Sequence, residues 1–288
     1  MTATEQFLWQ LARHDSVLVT VQAARGSVPR EVGAWMAVFA DTAVGTIGGG
    51  HLEWQALIEA RKRLIQPAAV PEVRYALGPS LGQCCGGEVQ LRFEPVSGAD
   101  APALRQRFES EQSQWPLVAL FGAGHVGQAL VQVLGHLPLR VRWVDSRDEV
   151  FPDPLPSNVV CEHADPVQAA VNDLPAGTQV LIMSFSHAED LEVVRACLQR
   201  QRAQADLGLI GLIGSKSKWA TFRHRLQERG FSETELAQVT CPVGIKGIGG
   251  KQPTVIAVAI AAQVLQVLAS TNSDGQLSSG GATSTKET

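Results

Sequence analysis

Glycine-rich stretches and one cysteine pair are where this sequence could do chemistry. In L-V-A-L-F-G-A-G-H-V-G-Q-A-L an apolar run meets Gly122, Gly124, His125 and Gly127, then resumes with helical spacing. That order predicts a buried strand, a tight turn and a helix. Gly122 supplies the turn's dihedrals, Gly124 lets backbone N–H groups approach an anion, and Gly127 lets the helix pack on its strand. The helix N-terminus then offers unpaired donors and a positive dipole end to a phosphate. V-R-W-V-D ends on Asp145, where a second strand would set a carboxylate against a ribose diol, and Arg147 follows where it could meet a phosphate.

G-T-I-G-G-G-H-L-E places Gly48, Gly49 and Gly50 before His51 and Glu53. Consecutive backbone N–H groups there make an anion-binding nest, or else the glycines serve a sharp turn with His51 and Glu53 on the surface. The preceding loop holds Arg25, Arg30 and Glu31 between Gly26, Pro29 and Gly33, either as a site or as a solvated hairpin connection. Cys84 and Cys85 stand in L-G-Q-C-C-G-G-E. Without a second Cys/His pair at ligand spacing a structural zinc is disfavoured, and a disulfide between neighbours is strained. One buried thiol or a thiolate favoured by backbone donors remains, and at least one of the two is read as functional. Ser184, Ser186 and His187 follow the apolar run T-Q-V-L-I-M, at a strand's C-terminal end, where open α/β sheets bind ligands. Gly247, Gly249, Gly250 and Lys251 form a further glycine-rich loop before Pro253 opens the last helix.

The elements that must position these residues alternate between strand and helix after Leu117. The fold class read from this is α/β: a small N-terminal α/β domain over 1–98, a polar linker over 99–115 and a Rossmann-type parallel-sheet domain over 116–268. A Ser/Gly/Thr-rich tail over 269–288 is expected to be disordered. The 288 residues suffice for two cores. Residues 255–268 fall short of a membrane span and read as a buried helix. With 45% hydrophobic and 18% charged residues and a formal net charge of −4, the chain has no basic field for nucleic acid. The start lacks the features of a signal peptide, and five cysteines without framework spacing suit a reducing compartment. The expectation is a cytoplasmic protein with neither nucleic acid nor membrane as partner.

In collinear order, R-G-S-V-P-R-E-V-G-A, G-T-I-G-G-G-H-L-E, L-G-Q-C-C-G-G, the glycine fingerprint, I-G-L-I-G-S-K-S-K and C-P-V-G-I-K-G-I-G-G-K-Q-P resemble the xanthine dehydrogenase accessory factor family, XdhC/CoxI. The resemblance runs from about Val17 to Leu268. It implies an accessory protein that binds molybdenum cofactor (molybdopterin), shelters it while the terminal sulfido ligand is installed, and delivers it to a molybdenum hydroxylase. Its partners would be the molybdenum-binding subunit of xanthine dehydrogenase and a cysteine desulfurase, with association into a homodimer left open. Cys84 and Cys85 would contact molybdenum or its dithiolene. Arg30, Gly48, Gly49, Gly50, His51, Gly122, Gly124, His125, Gly127, Asp145, His187 and Lys251 would complete the cofactor-binding set. The family often carries a Thr-His-Asp-His-like run near residue 184, and S-F-S-H here keeps only His187 and, further on, Asp190. Two other readings stand beside it: an oxidoreductase holding NAD(P), with Asp145 on the ribose diol, and a docking scaffold in which the cysteines are incidental.

Overall fold

Alternation along the first strand builds the first sheet. The computed structural model describes residues 1–66, 70–77 and 86–279. Strands β1 (Ser16–Arg25), β2 (Trp35–Val38), β3 (Ala43–Gly45), β4 (Glu72–Ala76) and β5 (Glu88–Val96) pair antiparallel in the order β3-β2-β1-β5-β4. Val17, Val19 and Val21 share one core with Leu52, Ala56 and Ala60 of helix α2 (Gly50–Ile65). Leu18 turns to the other face, which α1 (Ala3–Leu11) and α3 (Ala101–Ser113) cover.

Helix α3 replaces the linker expected over 99–115. Its Leu104 and Phe108, one turn apart, are buried, and Phe108 meets Phe7 edge-on at 6.1 Å and Trp35 at 5.2 Å between ring centroids. Two apolar residues at that spacing are enough to dock a helix whose remaining positions are mostly charged or polar. The chain accordingly divides into Met1–Glu111 and Gln112–Thr288.

In the second unit β6 (Leu117–Phe121), β7 (Arg140–Asp145), β8 (Val159–His163), β9 (Gln179–Ile182), β10 (Ile210–Leu212) and β11 (Val239–Thr240) form one parallel sheet. Its order, β11-β10-β9-β6-β7-β8, reverses direction between β6 and β9. Val118 and Leu120 pack under α4 (His125–Leu134) and α8 (Pro253–Ser279). Ala119 and Phe121 face α5 (His187–Gln204) and α6 (Lys216–Glu228), with α7 (Glu233–Leu236) beyond. Burial on both faces is why these strands read as continuous apolar runs.

Helix α8 is longer than its expected core segment, and it continues into the stretch expected to be a disordered tail. The hydroxyls of Ser270 and Thr271 bond back to the carbonyls of Gln266 and Val267 one turn earlier, and the helix runs as far as Ser279. Residues 280–288 lie outside the described chain. Pro253–Thr271 is long and apolar enough to cross a bilayer by length and composition, while Ala257, Ile260, Ala261 and Val264 are buried in the core that α4 also lines.

Candidate functional site

The fingerprint glycines divide their labour. At Gly122, with φ +112°, a Cβ would fall 2.0 Å from the Met183 carbonyl oxygen. At Gly127 it would fall 2.2 Å from the Gly122 carbonyl, which also accepts a 3.0 Å hydrogen bond from Trp143 Nε1. Both are packing glycines. Gly124 differs: it is the N-cap of α4, has no side-chain cap, and would place a Cβ with no heavy atom within 4 Å. The open space and uncapped first turn sit at the carboxyl edge of β6, where the sheet changes direction. Gly124 and His125 are both exposed there.

Asp145, only 2% exposed, closes the loop from the next strand. Its Oδ2 accepts from Ala123 N at 2.7 Å and Arg147 Nη2 at 2.9 Å, and its Oδ1 from Arg147 N at 3.0 Å and Arg147 Nε at 2.9 Å. A carboxylate offers about four acceptor sites, so none is left for a sugar diol. Asp145 organises the glycine loop and the arginine instead of presenting itself to a ribose. Burial pushes its carboxyl up, but the Arg147 fork, the two backbone N–H groups and the guanidinium charge together hold it below the usual carboxylate range. The Arg147 guanidinium lies 4.5 Å from the ring centroid of Phe185, whose side chain is largely exposed. Because β6 lies between β7 and β9, this contact spans the strand that carries the glycine loop. Ser146 Oγ donates to Glu189 Oε1 at 2.7 Å in a second bridge of the same kind.

Beyond β9, Asp190 is likewise 2% exposed and accepts from Ser184 N at 2.7 Å and Lys218 Nζ at 2.6 Å. Lys218 also donates to the Ile213 carbonyl at 2.9 Å. The pair ties the loop after β9 to the start of α6. Sequence reasoning gave it no role, although both residues fall in the first turn of a helix that follows a core strand. Ser186 and Ser215 cap α5 and α6. His187 is the exposed first residue of α5, edge-on to Phe222 at 6.2 Å. Ser184 Oγ is buried with no hydrogen-bond partner among the described residues.

In the first unit the expected nest is filled from within. Glu53 Oε2 accepts from the Thr46 hydroxyl and from the N–H groups of Ile47 and Gly49, both at 3.0 Å. Gly48, Gly49 and Gly50 all have positive φ, so the turn is glycine-dependent, but two of its donors serve the chain's own carboxylate. Of the two sequence readings, an open nest and a sharp turn with Glu53 on the surface, neither gave Glu53 this place inside the turn. A Cβ at Gly48 would strike Pro29 at 2.5 Å, and one at Gly87 would meet the Ser27 carbonyl at 2.4 Å. The R-G-S-V-P-R loop, the triple-glycine turn and the Gly86–Gly87 stretch are thereby brought together. Arg30 pairs with Glu31 at 2.9 Å and reaches the Thr46 carbonyl at 3.5 Å. His51 stacks on Trp54 at 5.3 Å and bonds Gln55 at 3.1 Å.

Cys84 and Cys85 lie outside the described residues. Among the described residues no group of three or more His, Cys, Asp or Glu could hold a metal ion. Burial pushes the Cys161 and Cys241 thiols up and takes the fully buried Cys197 up to about 12. Lys251 is exposed, and no contact among the described residues joins it to the crevice. The loop before it is pinned to α8 by Gly244 N to Gln263 Oε1 at 2.5 Å and Ile245 N to the Ala259 carbonyl at 3.1 Å.

A parallel sheet in this order, with a glycine loop at its switch point and an antiparallel domain earlier in the chain, defines a two-domain protein of Rossmann type. Residues 118–264 match the XdhC Rossmann domain and residues 9–75 match the XdhC and CoxI family, and the chain belongs to that family. It is 30% identical over 253 residues to the uncharacterized protein YqeB of Escherichia coli (strain K12), covering 85% of this chain and 42% of that protein. The chain thus spans less than half the length of that relative. A crystal structure described as a xanthine dehydrogenase from Bacillus halodurans shares the fold, with TM-score 0.71, 21% identity, and coverage of 94% of this chain and 96% of that one.

Proposed function

We propose that this chain is a cytoplasmic maturation factor that binds molybdenum cofactor, holds it during sulfuration and passes it to the molybdenum-binding subunit of a hydroxylase such as xanthine dehydrogenase. A cysteine desulfurase is its second partner. The observation that carries the reading is the crevice at β6, open to a phosphate at Gly124 yet offering no free carboxylate oxygen at Asp145. A nicotinamide nucleotide anchored by its ribose diol lacks its usual acceptor there. A phosphate-terminated pterin needs none. The residues fit that end of the group: the uncapped start of α4 supplies N–H donors, Arg147 supplies a cation, and the Ser184 hydroxyl is an unsatisfied polar atom at the end of the neighbouring strand. The cofactor brings the molybdenum–dithiolene chemistry, and this chain's residues bind, orient and shield it. Soft donors would come from Cys84 and Cys85 on sequence grounds.

The test uses those thiols. In the full chain, Cys84 or Cys85 alkylates faster than Cys161, Cys197 and Cys241, whose thiols are held protonated by burial, and added cofactor protects it. Cys84→Ser with Cys85→Ser lowers cofactor retention and hydroxylase activation together while the unfolding transition stays put. If that variant retains and activates like the parent, the scaffold reading replaces this one. Tight binding of NADH without binding of molybdenum cofactor moves the assignment to a nicotinamide-dependent oxidoreductase.

A further inference from the structure

We propose that Arg147 is the specificity-determining residue of the β6 crevice, reading a phosphate group at the end of β7 where a diol-binding Rossmann domain reads a ribose. The inference rests on that crevice being the phosphate site of the proposed function. Asp145 has no acceptor left for hydroxyl groups, so hydroxyl recognition at this position is lost. What the position offers is a donor. Arg147 spends Nε and Nη2 on Asp145, and Nη1 has no hydrogen-bond partner among the described residues.

The guanidinium is fixed in place on three sides. The bidentate fork holds its plane to Asp145, its own N–H bonds the same carboxylate, and Phe185 lies against it at 4.5 Å. Such preorganisation reduces the side-chain entropy lost on meeting a ligand. The other carboxylate acting on it, Glu189, has one oxygen engaged by Ser146 Oγ. Ala123 N and Arg147 Nη2 share Asp145 Oδ2, so the arginine stands directly beside the glycine loop. A ligand with phosphate oxygens at both the start of α4 and the end of β7 therefore satisfies donors that a diol cannot. The chemical class is a phosphate ester with a second phosphate beyond the one on the glycine loop. Its source is either a 2′-phosphorylated dinucleotide or the diphosphate of a pterin dinucleotide.

NADPH and NADH differ only by such a phosphate and serve as matched probes in fluorescence titrations of the full chain. The parent should bind NADPH about tenfold or more tightly than NADH, the scale of one hydrogen bond to a charged group. Arg147→Gln removes the preference. Arg147→Lys guards against a folding failure, because it keeps a cation beside Asp145 while a single ammonium cannot supply the fork and an outward donor together. It should also lose the preference while unfolding cooperatively. Equal affinity of the parent for the two probes, no binding of either, or a preference that survives in both variants overturns the assignment. Cofactor retention by the same proteins separates the sources: a fall in parallel with NADPH affinity supports the pterin source, and unchanged retention with lost NADPH preference supports the 2′-phosphate source, leaving Arg147 assigned and the pterin held elsewhere.

Discussion

Replacing Gly127 and Gly124 in turn separates a glycine that packs from one that faces a ligand. A Cβ at Gly127 lies 2.2 Å from the Gly122 carbonyl oxygen, a backbone atom already bonded to the Nε1 of fully buried Trp143. Neither neighbour can yield without loss. Overpacking costs about 1–3 kcal/mol, and a displaced Trp143 N–H left unsatisfied costs about 1–3 kcal/mol more. The helix propensity of alanine returns about 1 kcal/mol. The net for Gly127→Ala is about 1–5 kcal/mol, a large share of a domain stability of about 5–15 kcal/mol. At Gly124 a Cβ meets no heavy atom within 4 Å, the backbone sits at φ −73° and ψ −178°, which valine adopts freely, and Gly124→Val removes no side-chain cap. Its cost should stay near or below about 1 kcal/mol, yet its isopropyl group occupies the space over the α4 N-terminus and should abolish NADPH and cofactor binding. Urea denaturation followed by far-UV circular dichroism, with binding titrations on the same preparations, reads both effects. If Gly124→Val unfolds as early as Gly127→Ala, or binds like the parent, the division of roles among these glycines is refuted.

Lys218→Met leaves Asp190 buried without its cation and should cost about 3–5 kcal/mol, most of it recovered by adding Asp190→Asn. An additive double-mutant cycle in urea would show that the two do not act as a pair. Glu53→Ala frees the N–H groups of Ile47 and Gly49 and should lower stability by about 1.5–3 kcal/mol, read as a drop in Tm that Glu53→Gln partly reverses. No change in Tm would mean the triple-glycine turn holds itself. Asp145 has a folded pKa below its unfolded value of about 3.9, so its contribution is present above that pH and is lost as pH falls through the folded pKa. Stability–pH curves for the parent and Asp145→Asn should therefore converge toward the acid end, and a constant gap down through that range would contradict the linkage.

The second unit was largely legible because its signals are local. Apolar runs such as Leu117–Phe121 and Gln179–Ile182, the glycines at 122, 124 and 127, and Pro253 at the start of α8 each follow from a few neighbouring residues obeying strand, turn or helix geometry. Helix α3 was less legible, since two apolar residues among charges gain meaning only when Phe7 and Trp35 stand opposite them. The chemistry of the loops was legible only as capacity. By type and spacing Asp145 suited a ribose acceptor and Gly48 to Gly50 suited an open nest, but hydrogen-bond capacity is finite and its use depends on what folding brings within 3 Å. Ala123 reaches Asp145 across 22 residues, and Lys218 reaches Asp190 across 28, only because neighbouring parallel strands end side by side. Sequence determined which groups could bind an anion; the tertiary structure decided which were already taken, because donors and acceptors pair by distance in space rather than along the chain.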